Sequence, residues 1–151
     1  MKIPEPLFIF INPIVRLLLK SWIHFFWSGN LMLITFTGRK SGRRFTTPVR
    51  YIREGETVRC FTSAENQWWR NLRGEANVVL RIAGHDASYQ AIAVDNDPVE
   101  VKKWLQYYLG LFPQDSAYHD IHVNNDKSLV AADLEKASRN TILVEARPIP
   151  D

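Results

Sequence analysis

Thr37-Gly38-Arg39-Lys40-Ser41-Gly42-Arg43-Arg44 packs four cations, two glycines and two hydroxyl residues into eight positions. An apolar run, Leu31 to Phe36, precedes it, and a strand-like run, Phe45 to Arg53, follows. Two strands joined by a short Gly-bearing connection read as a hairpin. Glycine lets backbone N–H groups turn inward, and the cations beside them make the tip a cradle for anions. A solvated basic turn is the other reading of the same spacing, and spacing alone does not choose between them.

Strands continue outward from this hairpin. Leu31 to Thr37 is apolar on both faces, as a buried central strand would be. Pro48 within Phe45–Arg53 argues for an edge position or a bulge. Glu54-Gly55-Glu56 is a turn and Thr57 to Ser63 a third strand. Ala64 to Arg73 reads as a short helix carrying Trp68, Trp69 and Leu72, with Gly74 ending it. Val78–Ile82 and Ala87–Val94 pair around Ala83-Gly84-His85-Asp86. Asp97-Pro98-Val99-Glu100 is a helix start with a capping Asp, Pro at the first position and Glu three residues on. That helix presents Val101, Trp104, Leu105 and Tyr108 on one face, and Pro113 follows its end. Ser128 to Ser138 is a last helix and Thr141 to Ala146 a closing strand. Strands in succession exclude a doubly wound sheet. The expected fold is α+β: a split β-barrel of about six mainly antiparallel strands with flanking helices, because closure hides strand edges.

Two parts are expected along the chain, an N-terminal amphipathic helical segment over residues 1–28 and the barrel domain over 29–151. Asn12 is expected to cap a helix with Pro13 at its first position. From there Arg16, Lys20 and His24 recur every fourth residue, and apolar side chains cover the rest. A membrane span would carry Arg16 and Lys20 in its middle, which is costly, and Trp22 to Trp27 offers no cleavage site for a secretory signal. Residues 7–27 therefore either pack on the body or a dimer partner, or lie in a bilayer interface.

The 151 residues are 46% hydrophobic and 23% charged, which describes an ordinary globular chain long enough for one core. Its single cysteine, Cys60, excludes an internal disulfide and fits a reducing compartment. The expected location is cytoplasmic, peripheral at the inner membrane face if residues 7–27 touch lipid. Charge is uneven: residues 1–85 hold 13 Lys+Arg against 5 Asp+Glu, whereas residues 86–151 hold 6 against 11. A basic first half suggests an anionic partner. The acidic second half argues against nucleic acid.

Other chemistries find little support. Among the four histidines only His119-Asp120-Ile121-His122 has ligand-like spacing, with no clear helix to put both rings on one face, so no metal is expected. No Gly-x-Ser-x-Gly elbow, Walker loop or Gly-x-Gly-x-x-Gly occurs. What remains is the basic hairpin, the Thr62-Ser63 strand end and the Trp-rich helix. Arg grips phosphate by paired charge-assisted bonds and Lys serves as a point charge. Trp68 or Trp69 could wall a flat ring, although one of two adjacent tryptophans is ordinarily core.

The run Leu33-Ile34-Thr35-Phe36-Thr37-Gly38-Arg39-Lys40-Ser41-Gly42, with Thr47-Pro48 and Tyr51 after it, resembles the deazaflavin-dependent nitroreductase/quinone reductase family. So does Ser63 followed by Trp68-Trp69-Arg70-Asn71-Leu72. The resemblance covers about residues 31–95. It implies a split barrel related to flavin-binding oxidases, usually dimeric. It also implies hydride transfer from reduced deazaflavin coenzyme F-420, with FMN as the alternative, to a quinone-like, nitroaromatic or other apolar electrophile. Carried over, Arg39 and Lys40 would hold the cofactor's phosphate and acidic tail, with Ser41, Arg44 and Thr62 beside them. Ser63 would hydrogen-bond near the ring and Trp68 would shape its pocket. The nitroreductase members place several tyrosines after the helix that follows the barrel. Tyr118 is the one retained here, as a candidate proton donor. The family's Gly-rich loop before the Trp helix is shortened to Ala64-Glu65-Asn66-Gln67. That departure leaves a second reading, a non-catalytic split-barrel module binding an anionic ligand or a membrane surface.

Overall fold

A computed structural model describes residues 30–150. The amphipathic helix expected within residues 7–27, and with it the boundary between the two parts of the chain, lies outside the described residues. Six strands form a closed barrel: β1 (Leu31–Thr37), β2 (Arg44–Glu54), β3 (Thr57–Ser63), β4 (Ala76–Ile82), β5 (His85–Val94) and β6 (Thr141–Pro148). Around the wall their order is β1-β2-β3-β6-β5-β4, and every neighbouring pair is antiparallel. Helix α1 (Pro98–Leu111), a 3-10 helix (Pro113–His119) and helix α2 (Ala131–Asn140) form the connection from β5 to β6.

Strand β2 changes partner partway along. Arg44 to Arg50 pair with β1, while Tyr51 to Glu54 pair with β3. Phe61 to Ser63 of β3 then pair with β6 alone. The wall is therefore split between the first half of β2 and the end of β3. Pro48 lies in that first half, opposite Leu33. A residue with no N–H is tolerated where one side of a strand has no ladder to complete, and the edge reading of Pro48 follows from this geometry.

Two cores result from the pleat. Met32, Ile34 and Phe36 of β1 point inward, as do Val58 and Cys60 of β3, meeting Leu80, Ala91 and Val144 inside the barrel. Buried among them, the Cys60 thiol is pushed up to about 12 by desolvation, so it packs as a small hydrophobe and offers no nucleophile. Phe61 and Leu143 point outward and meet Trp104, Leu105, Leu109 and Leu134 of the helices. Each such side chain, fully buried, is worth about 1.5–3 kcal/mol.

Local chemistry explains the element ends. Ile82 pairs with His85 around Ala83 at φ 52° and Gly84 at φ 82°. Two successive positive φ values make a type I′ turn, whose twist matches the strands, so the connection is two residues rather than the four expected. The Asp97 carboxylate accepts from the Glu100 N–H at 3.1 Å, as a cap should. Glu100 does not complete a capping box; its carboxylate accepts from the Trp104 indole at 2.7 Å. The last helix starts at Ala131 rather than Ser128, because Leu129 bridges to Val123 first. The Trp segment forms a 3-10 helix over Trp68–Leu72. Its Trp69 and Leu72 join the inner core, so the helix plugs the end of the barrel where β1 and β3 finish and β4 begins.

Candidate functional site

The tip of the β1–β2 hairpin is built by backbone first. The Gly38 N–H donates to the Arg43 carbonyl at 2.7 Å, and the Gly42 N–H donates back to the Gly38 carbonyl at 2.8 Å. Gly42 sits at φ 71°, where side chains are strained. A Cβ at Gly38 would lie 2.7 Å from the Phe45 ring and 2.9 Å from the Ser41 hydroxyl, so any side chain there forces one or both to shift. Ser41 supports the turn by accepting from the Arg43 N–H at 3.2 Å. Arg39, Lys40, Arg43 and Arg44 are exposed around this frame.

The tip is anchored to the Trp-bearing 3-10 helix. The Arg39 N–H donates to the Asn71 side-chain carbonyl at 2.9 Å, and the Arg39 guanidinium reaches the Arg70 carbonyl at 3.5 Å. Asn71 is oriented by its own amide, which donates to the Trp68 carbonyl at 2.9 Å. Trp68 packs on Phe36 with ring centroids 5.7 Å apart, and Phe36 stacks on Phe45 at 5.8 Å. Its indole N–H donates to the buried Thr62 hydroxyl at 3.1 Å, which also accepts from the Asn66 amide at 2.8 Å. Thr62 thus positions Trp68 from behind. Arg70 adds a further cation beside Arg39, and its Nε is buried with no hydrogen-bond partner among the described residues.

Successive strand residues point to opposite faces, and this separates Thr62 from Ser63. Thr62 belongs with Trp68 and the hairpin tip, whereas Ser63 lines a hollow beneath the helices together with Tyr118, His119, Asp133, Lys136 and Thr141. The sequence-predicted residues therefore fall into two neighbouring groups on either side of the β3 end. Arg39, Lys40, Ser41, Arg44, Thr62 and Trp68 surround the tip, and Ser63 and Tyr118 share the hollow. Tyr118 is 63% exposed. Its ring lies edge-on to His119, with centroids 4.9 Å apart. His119 is half-buried, and burial pulls its imidazole from 6.5 down to about 4, outweighing Asp115 and Asp120, which pull the other way. His122 is turned elsewhere and pairs with Asp133 at 2.8 Å, holding that carboxyl below its ordinary range through the His122 N–H and ring. No metal-ready group of His, Cys, Asp or Glu occurs among the described residues.

Sequence reasoning gave no role to Asn71 as the anchor, to Arg70 or to Lys136, and weighed His119 only as a metal ligand. Asn71 stood within the Trp-x-x-Asn-Leu landmark without a role. Arg70 lies in the same landmark, whereas His119 and Lys136 come together only when the second 3-10 helix and α2 fold over β3.

What these residues can hold is an anion with a flat ring attached. The tip offers a narrow backbone turn ringed by cations, and Trp68 stands beside it with its face set by Phe36 and Thr62. Such parts fit a phosphate-tailed, planar cofactor.

Comparison with known proteins agrees. The family model described as F420H(2)-dependent quinone reductase matches residues 22–133, well over half of the chain. No curated protein matches it by sequence. A solved structure of an F420-H2 dependent reductase is similar at 16% identity and a TM-score of 0.51, over 78% of this chain and 93% of that one. A putative pyridoxamine 5'-phosphate oxidase from Listeria innocua is similar at 9% identity and a TM-score of 0.50, over 88% and 94%. A third structure, described as a domain-swapped dimer, is similar at 13% identity and a TM-score of 0.52, over 90% and 100%. At these identities the likeness establishes the split-barrel fold.

Proposed function

The chain belongs to the F420H(2)-dependent quinone reductase family, oxidoreductases working with a reduced deazaflavin, and from this membership we propose how its own residues divide the work. Arg39, Lys40 and Arg44 hold the cofactor's phosphate and acidic tail, with Ser41 keeping the tip closed. Trp68, steadied by Thr62, flanks the ring, and Ser63 contacts it from the hollow side. The observation that carries this reading is the Arg39–Asn71 anchor, which fixes the cationic tip against the helix that presents Trp68. When bound, the reduced deazaflavin supplies the hydride. The chain's part is to bind, to orient and to exclude water from the ring. Tyr118, at the mouth of the hollow, is placed to give a proton to the acceptor, whether a quinone or a nitroaromatic.

Fluorescence titration with the deazaflavin and with FMN tests the cofactor assignment. The deazaflavin is expected to bind more tightly. Arg39→Ala with Lys40→Ala should weaken its binding about tenfold or more, with the larger loss at low salt. A double variant that binds like the parent would remove the tip from the site.

Residues 7–27 carry the apolar surface that would bring this site to a bilayer, where apolar quinones dissolve. We extend the proposal to a peripheral homodimer on these grounds and on the dimeric assembly described for one structural neighbour. The full chain is then expected to float with anionic vesicles and to sediment at twice its chain mass. A chain lacking residues 1–28 should stay at the bottom of the flotation gradient. Equal flotation of both, or a monomeric mass, would end the corresponding claim. Among the described residues no helix is long and apolar enough to cross a membrane.

A further inference from the structure

The hollow beside Ser63 contains a group that the cofactor reading leaves unused. The His119 ring makes no hydrogen bond or ion pair with any described residue. Rings hold it instead: Tyr118 at 4.9 Å, Tyr108 at 6.4 Å and Phe61 at 6.5 Å between centroids, each edge-on or nearly so. Tyr108, Asp115 and Asp133 nearby are already committed. Tyr108 donates to Asp115, and Asp115 also accepts from Arg50. Asp133 accepts from the ring and the N–H of His122. His119 is thus an imidazole fixed by packing, with its hydrogen-bonding capacity left for something that enters the hollow.

We propose that His119 is the residue that hydrogen-bonds the carbonyl oxygen of a planar quinone seated in this hollow, with Lys136 supplying positive charge at its rim. The inference rests on the reductase reading and assigns that reaction's acceptor a place and a partner. Facing the imidazole are Tyr108, Tyr118, Asp115 and Asp120, and across the hollow Asp133 and Lys136. Burial keeps the ring neutral at working pH, so it donates one N–H without repelling a cation or losing its proton. Ser63 accepts from the Glu65 N–H at 3.2 Å and keeps its own proton for the cofactor ring, which leaves the quinone oxygen to His119. A quinone that takes up one hydride from the reduced deazaflavin and one proton from water or Tyr118 becomes the hydroquinone, and the deazaflavin is left oxidised by two electrons. Negative charge develops on the quinone oxygen before that proton arrives, and a hydrogen bond already aimed there strengthens as it does.

The test uses the full chain, 15N-labelled, with tetramethyl-1,4-benzoquinone, which has no free ring position to alkylate the protein. Long-range 15N spectra should show the His119 ring nitrogens shifting saturably with quinone, in the absence of any cofactor. His119→Phe should weaken quinone binding about fivefold to tenfold, His119→Gln by less, and neither should alter deazaflavin binding. In turnover the loss should show in KM and kcat together. Absence of quinone binding, or binding that leaves the His119 signals unmoved, overturns the proposal. Quinone binding at His119 in a protein that takes no deazaflavin would keep this site and refute the reductase reading.

Discussion

Asp115→Ala is expected to lower the folding free energy by about 3–5 kcal/mol, the range for breaking a buried ion pair from one side. Arg50 sits where β2 changes partner, and its side chain is 5% exposed against 16% for Asp115. Their contact is 2.9 Å, and the Arg50 guanidinium also lies 4.5 Å from the centre of the Phe112 ring. Tyr108 donates to the same carboxylate, and burial first, then that hydrogen bond, pushes its phenol up, so it stays a donor throughout the accessible pH range. One carboxylate therefore ties the barrel bend to α1 and to the second 3-10 helix. Urea unfolding should show the midpoint falling steeply with little change in slope. Tyr108→Phe should cost only about 1 kcal/mol, the net value of one hydrogen bond. Replacing both charges, Arg50→Met with Asp115→Leu, should recover much of the loss, because an apolar pair needs no compensation. An Asp115→Ala protein within about 1 kcal/mol of the parent would show that water already screens the pair.

The second large effect is a dependence on acid that belongs to one residue. His119 titrates near 4 in the folded chain against 6.5 for the free side chain. Between these values the unfolded chain takes up a proton that the folded chain refuses. Stability is then full above about pH 6.5, falls as the pH drops towards 4, and changes no further from this source below that. The whole window is worth up to about 3 kcal/mol, of which about 2 kcal/mol is lost between pH 7 and pH 5. His119→Phe keeps an aromatic ring against Tyr108, Tyr118 and Phe61 and cannot titrate. Its stability should lack this portion of the decline, while contributions from other groups remain common to both proteins. Parallel curves for the two proteins would mean that the imidazole is solvated and charged at pH 5.

Local chemistry made part of this molecule readable before folding. The glycines of the basic hairpin, Pro48 on a half-open strand, and the Asp97 cap each act within a few residues, so their signals are contiguous in sequence. Trp68 could be placed beside the tip because a family resemblance supplied the third dimension, whereas Ser63, expected with it, faces the hollow. The closing order of the strands was not readable, since β6 inserts between β3 and β5 through contacts across the length of the chain. The same limit hid the hollow. His119 and Asp115 look like loop residues until α1 and α2 cover Phe61, and burial, not spacing, then gives them their properties. The shortened Ala64–Gln67 connection, read as a loss, serves as the turn through which Ser63 and Asn66 meet, the Asn66 N–H donating to the Ser63 carbonyl at 3.1 Å.

The hairpin tip is secured almost wholly by groups that every residue possesses. Its closure runs through the backbone of Gly38, Gly42 and Arg43, and its docking through the N–H of residue 39 onto the Asn71 amide. Scaffold and cargo are therefore separable at positions 39 and 40. Side chains of another charge or length can be installed there without dismantling the loop. A lineage can in this way exchange one acidic ligand for another while the barrel beneath it stays the same, and an engineer can do so too.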